Sequence, residues 1–248
     1  MCDLPNITLI QFMPKYILTL IFLITGSSAF ACITCNKQIQ EGIYNSQFYP
    51  NLFTMLSAFI VLAVIVAVLS AVTAKRHKAR AATNTNSQIL SPVPLTTASM
   101  ILGIGLGGFI DGIVLHQILQ WHEMLSNRVP ATEYIGKSVN MFWDGIFHFF
   151  CLVVVLIGVV LLWKLLGRKD VNRSGKLLAG GLLLGWGLFN IVEGVIDHHM
   201  LKLHNVMELA IDHDPANYAF LGVSVVMLLM GYAIVKSVTS KRTPSHGT

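Results

Sequence analysis

The sequence predicts an all-α, polytopic membrane helical bundle, and two observations carry this prediction. Hydrophobic residues make up 54% of the 248-residue chain and charged residues only 12%, and a mean hydropathy of +0.66 is too high for a soluble globular protein of this length. Apolar runs of about 20 residues, the length that crosses a bilayer core, also recur along the chain. Six such runs lie near residues 12–31, 53–73, 96–118, 141–165, 177–196 and 218–235.

Lysine and arginine residues cluster at alternate ends of these runs. Because cytoplasmic loops carry an excess of basic residues, these ends are predicted to face the cytoplasm, with the opposite ends outside a bacterial inner membrane. The net charge of +5 is accounted for by these loops, so the predicted partner is the lipid bilayer and not nucleic acid. The clusters contain Lys75, Arg76, Lys78 and Arg80, then Lys164, Arg168, Lys169, Arg173 and Lys176, and then Lys236, Lys241 and Arg242.

The N-terminal part of the chain is predicted to be separate from the core. Residues 1–31 fit a signal peptide with cleavage before Cys32, and also fit a retained anchor. The pair Cys32 and Cys35 forms a CxxC on the outer side, typical of a disulfide or of a soft metal-ligand pair. We expect five segments: 1–31 as signal or anchor, 32–76 as an outer segment with one span, 77–95 as a linker, 96–236 as a four-span core, and 237–248 as a disordered tail.

Within the core, one polar pattern occurs twice, 82 positions apart. An acid is followed by glycine, by a histidine five residues after the acid and by a second histidine six residues later. Charged and imidazole side chains are costly in or near hydrocarbon, so their repetition at one depth predicts a site. The repeat also predicts two parallel helical hairpins with the site between them. The copies are Asp111, Gly112, His116 and His122, and Glu193, Gly194, His198 and His204.

Helix geometry limits which of these side chains can share a metal ion. Asp144 and His148 are four apart and lie on one helical face, as do Glu193 and Asp197, so both pairs are predicted to chelate. Asp111 and His116 are five apart, and joint ligation by them requires a π-bulge or local unwinding, as it does for Glu193 and His198. His122 can join Asp111 only if the helix ends between them, because eleven residues span about 16 Å of ideal helix.

The predicted cofactor is a transition metal, either iron, copper or zinc, bound as one or two ions near the outer face. Mixed carboxylate and imidazole ligands favour such a non-haem site. The predicted ligands are Asp111, His116, Asp144, His148, Glu193, Asp197 and His198, with His122, His204, Cys32 and Cys35 as secondary candidates.

Three polar segments, in order, resemble the signature of an uncharacterised bacterial membrane-protein family, domain of unknown function twenty-two forty-three. These segments are Phe109 to His122, Asp144 to His148 and Phe189 to His199. The resemblance covers roughly residues 96–236 and implies a four-span prokaryotic membrane core. It implies no established activity.

Three functions compete on the sequence alone, and no catalytic residue is assigned. The core site is predicted to belong to a non-haem metal-dependent oxidoreductase. A second hypothesis is copper binding and delivery to a respiratory complex, with Cys32 and Cys35 capturing the ion. A third is haem binding or proton relay in an electron-transfer partner. The copper hypothesis also draws on four methionines near the same face: Met124, Met141, Met200 and Met207.

Overall fold

The computed structural model describes residues 36–83 and 90–240, and these residues form helices and loops without a β-strand. The first apolar run and the Cys32–Cys35 pair lie outside the described residues. The helices are α1 (Lys37–Ile43), α2 (Phe48–Ala82), α3 (Val93–Ile110), α4 (Tyr134–Trp163), α5 (Gly175–Glu193) and α6 (Asp214–Ser240). Two π-helical segments, π1 (Asp111–Ile118) and π2 (Gly194–Met200), continue α3 and α5 without a break.

Five of the described helical stretches are long and apolar enough to cross a membrane. They confirm the predicted all-α polytopic bundle. The polar stretch expected as a linker begins inside α2, which continues to Ala82, and α6 likewise extends to Ser240. The spans are Phe48–Ala82, Val93–Ile118, Tyr134–Trp163, Gly175–Met200 and Asp214–Thr239.

The chain divides into two compact units after Glu41. The N-terminal unit is described only from Asn36 and contains the first part of α1, where Lys37 and Glu41 form an ion pair at 3.6 Å. All the remaining described helices belong to the second unit.

The centre of the second unit is the pair formed by α3 and α5. Their apolar windows are 56% and 50% buried, against 22%, 17% and 11% for the spans of α2, α4 and α6. Helix α4 packs on α3, α6 packs on α5, and α2 packs across both central helices. The bundle is therefore two helical hairpins side by side, with their first helices in contact.

Glycines allow this central contact. A Cβ on Gly103 would overlap the backbone carbonyl oxygen of Leu182, and a Cβ on Gly185 would overlap that of Met100. The two contacts are equivalent at an offset of 82 positions. Small residues allow helix backbones to approach closely in membranes, so these glycines fix the distance between α3 and α5.

The connectivity brings two pairs of loops together at opposite ends of the bundle. At one end, Ser91 donates to the Asp170 carbonyl at 2.8 Å, and this end carries the basic residues of the loop 164–174. At the other end, Asn127 donates to the Leu203 carbonyl at 3.0 Å. The two π-helical segments lead into this second end, which is formed by the loops 119–133 and 201–213.

Candidate metal centre

The two π-helical segments align each acid with the near histidine of its own segment. A π-helix closes hydrogen bonds from residue i to i+5, so residues five apart lie on one face. Asp111 Oδ2 lies 3.1 Å from His116 Nε2, and Glu193 Oε1 lies 3.0 Å from His198 Nε2. The sequence required a π-bulge or local unwinding for these pairs to meet, and the structure has a π-helix at both places.

Each π-helical segment ends in a backbone reversal that brings the far histidine back. Gln120 and Lys202 adopt φ values of 51° and 49°, in the left-handed region that commonly ends a helix. The chain then folds back, so that His122 Nε2 lies 4.0 Å from Asp111 Oδ1. His204 Nε2 lies 3.1 Å from Glu193 Oε1. The helix therefore ends between the acid and the far histidine, as joint ligation requires.

Crossed hydrogen bonds between the two loops orient the far histidines. His122 Nδ1 donates to the Val206 carbonyl at 2.9 Å, and His204 Nδ1 donates to the Met124 carbonyl at 3.1 Å. Because Nδ1 carries the proton in these bonds, Nε2 of a neutral ring keeps its lone pair. Partners of this type fix the tautomer and the ring orientation of metal-binding histidines.

The pKa of His122 supports the same assignment. Burial lowers this pKa well below its usual range, and the neighbouring His116 and His204 rings lower it further. His122 is therefore neutral near pH 7, which is the protonation state that binds metals.

Asp144 orients the near histidine of the first half only. It accepts hydrogen bonds from His116 Nδ1 at 2.9 Å, from Gln117 Nε2 at 3.2 Å and from the Met124 backbone N–H at 2.9 Å. By contrast, neither ring nitrogen of His198 has a hydrogen-bond partner among the described residues. The two halves of the cluster thus differ in how their near histidines are held.

The four imidazole rings form a connected series of ring contacts. The ring centroids of His116 and His122 are 4.4 Å apart, and those of His198 and His204 are 4.7 Å apart. His122 and His204 stack with a centroid distance of 4.7 Å and an interplanar angle of 2°. Four imidazoles and two carboxylates therefore form one compact, buried cluster.

Many polar atoms of this cluster are buried without a hydrogen-bond partner in the described part of the chain. Native proteins leave few buried polar atoms unpaired, and each exception requires an explanation. In the pairs Asp111–His116 and Glu193–His198, a carboxylate oxygen lies 3.1 Å and 3.0 Å from a ring nitrogen. The geometry of these two contacts is not that of a hydrogen bond. The unpartnered atoms are Oδ1 and Oδ2 of Asp111, Nε2 of His116 and of His122, Oε2 of Glu193, and both ring nitrogens of His198.

These donors fall into two groups that could each hold a metal ion. Within each group the ligand atoms all lie within 4.8 Å of one another, and every residue is buried. His122 belongs to both groups. One group is Asp111, His116 and His122, and the other is His122, Glu193, His198 and His204.

Three predicted primary ligands lie outside these two groups. Asp144 is occupied by three hydrogen bonds. His148 lies against Gly112, where a Cβ would overlap its Nε2, and its ring stacks on Phe109. Asp197 is buried and its Oδ1 has no hydrogen-bond partner in the described residues, but it belongs to neither donor group. The predicted chelating pairs Asp144–His148 and Glu193–Asp197 therefore do not form the donor groups found here.

The far histidines are more central than the sequence indicated. His122 and His204 were secondary candidates, but they are only 2% and 0% exposed and belong to the donor groups. A signal for their importance was present, because both copies of the pattern keep the far histidine in register. The secondary candidates Cys32 and Cys35 lie outside the described residues.

No curated protein and no solved structure matches the chain. A family model described as "Predicted membrane protein (DUF2243)" matches residues 98–238, the region that contains both donor groups, α4, α5 and most of α3 and α6. More than half of the chain is covered by this match, so the protein belongs to the DUF2243 family of predicted membrane proteins.

Proposed function

We propose that this protein is a membrane metalloprotein that binds two first-row transition-metal ions, in the manner of a non-haem metal-dependent oxidoreductase. One observation carries the proposal. Two donor groups, each with one carboxylate and at least two histidines and with His122 in common, converge at the ends of α3 and α5, and their ligand atoms are buried and largely unpartnered. A hydrophobic bundle would not retain such atoms without a compensating charge.

The separation of the donors favours two ions over one. Ligands of a single ion at about 2.0–2.2 Å can be at most roughly 4.4 Å apart. The six donors do not form one group even within 4.8 Å, but form two groups that share His122. Helix bundles commonly hold dinuclear centres between facing helices. Two adjacent ions therefore fit the cluster better than one.

The type of donor favours iron, zinc or manganese, and also copper(II). One carboxylate with two imidazoles is the ligand set of non-haem iron sites with open positions, and a similar set binds catalytic zinc. A metal bound here would supply Lewis-acid or redox chemistry to a small molecule. The chain's own contribution is to bring the carboxylates of Asp111 and Glu193 together with the imidazoles, and to orient the rings of His122 and His204 through Nδ1.

The alternatives receive less support from the described residues. Of the four methionines in the copper(I) hypothesis, only Met124 is buried, whereas Met141, Met200 and Met207 are 54%, 71% and 36% exposed. For haem, the stacked rings of His122 and His204 at 4.7 Å leave no space for a porphyrin between them. A proton relay would use the same imidazoles and carboxylates, so it becomes the favoured function if the chain binds no metal.

We also propose that the two hairpins are a duplicated unit placed in a bacterial inner membrane, with the centre toward the outside. Support comes from contacts that recur at the 82-residue offset, including Gly103 with Gly185 and the left-handed Gln120 with Lys202. The basic loops lie at the opposite end from the centre, which the positive-inside rule assigns to the cytoplasm. Reporter fusions at residue 125 are expected outside and at residue 170 inside, and the reverse pattern would overturn this orientation.

Elemental analysis of the full chain tests the proposed function. The protein would be purified in mild detergent without chelator, and optical and electron paramagnetic resonance spectra would be recorded alongside. We expect two transition-metal ions per chain and no haem absorbance. Absence of metal after reconstitution with iron, zinc, manganese and copper would contradict the proposal.

Replacing Asp144 by asparagine is expected to weaken metal binding without abolishing it. The amide would keep the size of the side chain but would remove the charge that orients His116 through Nδ1. Loss of such a supporting carboxylate typically costs about 10–100-fold in metal affinity. Competition titration with a chelator measures this change, and Asp170→Asn, an exposed substitution at the opposite end of the bundle, is the control. Complete loss of both ions in Asp144→Asn would instead make Asp144 a direct ligand.

A further inference from the structure

A polar cleft of about 480 Å³ opens beside the second half of the cluster. His198 lines this cleft, although its side chain is buried and both its ring nitrogens lack partners in the described structure. Apart from Ile211, the remaining lining is hydrophilic and includes Lys202, Asn205, Asp212 and His213. A buried, unpartnered donor thus borders a water-accessible space at the loop end of the bundle.

The near histidine of the first half is held in a different way. The residue equivalent to His198 is His116, whose Nδ1 is bound to Asp144 at 2.9 Å. Gln117 Nε2 also donates to Asp144, at 3.2 Å. Metal sites that serve a structural purpose are closed, whereas those that exchange ligands keep an open position. His198 therefore borders a cleft without a hydrogen-bond partner in the described residues, whereas His116 is tied to Asp144.

We propose that this cleft is the aqueous route by which a divalent metal cation reaches and leaves the Glu193–His198–His204 half of the centre. This half is the exchangeable one, and the Asp111–His116–His122 half holds its ion more permanently. The inference rests on the proposed function and adds to it the path of the metal ion and the half of the centre that exchanges its ion.

The chemistry of the cleft fits a hydrated cation. His199 Nδ1 donates to the Gly194 carbonyl at 2.7 Å, and His213 Nδ1 donates to the Met207 carbonyl at 2.9 Å. The nitrogen of each ring that is left to bind a metal ion is therefore Nε2. Asp212 and Asp214 add carboxylates to the same cleft. Imidazole and carboxylate groups at its mouth can replace part of the water around a transition-metal ion before it reaches His198.

Cobalt(II) exchange in the full-length protein in detergent tests this route. The protein would be loaded with Co²⁺, challenged with EDTA, and followed by its visible absorbance and by elemental analysis. We expect two phases of release, one ion leaving rapidly and the other slowly. Two variants would be compared with the wild type: Asp212→Asn, and Asp212→Asn combined with His213→Ala. In both, the rate of rapid release and the rate of loading are expected to fall by about tenfold, because the cleft loses its attraction for cations. The final number of bound ions should not change.

Glu133→Gln is the matched control, since Glu133 is an exposed carboxylate in the loop 119–133 at the same end of the bundle but outside the cleft. It should leave both phases unchanged. Asp212→Asn is nearly isosteric, so it keeps the test valid if the double variant does not fold. Release in a single phase, or an unchanged rapid phase in the cleft variants, would overturn the proposed route while leaving the metal centre intact. Failure to bind cobalt, zinc or iron at all would instead overturn the proposed function.

Discussion

Replacing Gly185 by valine is expected to separate α3 from α5 and to destabilise the whole bundle. A Cβ at this position would overlap the Met100 carbonyl oxygen and would approach the Ile104 backbone nitrogen at 2.9 Å. These are backbone atoms, so no side-chain rotation relieves the contact. Overpacking of this kind costs about 1–3 kcal/mol or more, and here it also displaces Asp111 relative to Glu193. The expected result is a lower thermal denaturation temperature and the loss of bound metal.

Gly222→Val provides the matched control. Gly222 lies within α6, and a Cβ there would meet no atom within 4 Å. Both substitutions add the same β-branched side chain inside a membrane helix, so their difference isolates the close approach of the central helices. Equal stability of the two variants, measured by heating in the same detergent, would show that the contact between α3 and α5 does not depend on Gly185.

Replacing Glu193 by glutamine is expected to lower the metal content from two ions per chain to one. The amide keeps the volume of the side chain but removes the anionic oxygen that faces His198 and His204. Asp111→Asn should remove the other ion by the same reasoning, because Asp111 faces His116. The double variant should bind none. Elemental analysis of protein purified under identical conditions measures all three results.

Glu133→Gln serves as the control for loss of a carboxylate at the same end of the bundle, since Glu133 is exposed. The variants at Asp111 and Glu193 should keep their helical circular dichroism, because the close contacts at Gly103 and Gly185 do not involve these side chains. Retention of both ions in the double variant would show that the carboxylates are not ligands.

The membrane fold follows directly from the sequence, because it depends on features that are local in the chain. Runs of apolar residues identified each described span. The contact between Gly103 and Leu182 is not local in the chain, and Leu182 can be identified as the partner of Gly103 only when the pairing of α3 with α5 is known. Helix pairing depends on small differences in packing between helices, and the sequence of one apolar run does not predict these differences.

The site was only partly predictable for a related reason. The acid and near histidine could be matched through the required π-helix, but the return of the far histidine depends on the left-handed Gln120 and Lys202. Glycine is the usual residue in that conformation, and neither glutamine nor lysine signals it. Similarly, the spacing of Asp144 and His148 fits chelation, yet Asp144 is occupied by His116 from another helix.

X-ray absorption at the metal edge of the loaded, full-length protein tests the central claim most directly. The proposed centre predicts nitrogen and oxygen as the nearest neighbours of the metal, the longer-range scattering of imidazole rings, and a second metal at about 3.5–4 Å. In Glu193→Gln the metal–metal feature should disappear while imidazole scattering remains. Nearest neighbours that are mainly sulfur, a porphyrin pattern, or a single isolated metal in the wild-type protein would contradict a two-ion carboxylate and histidine centre.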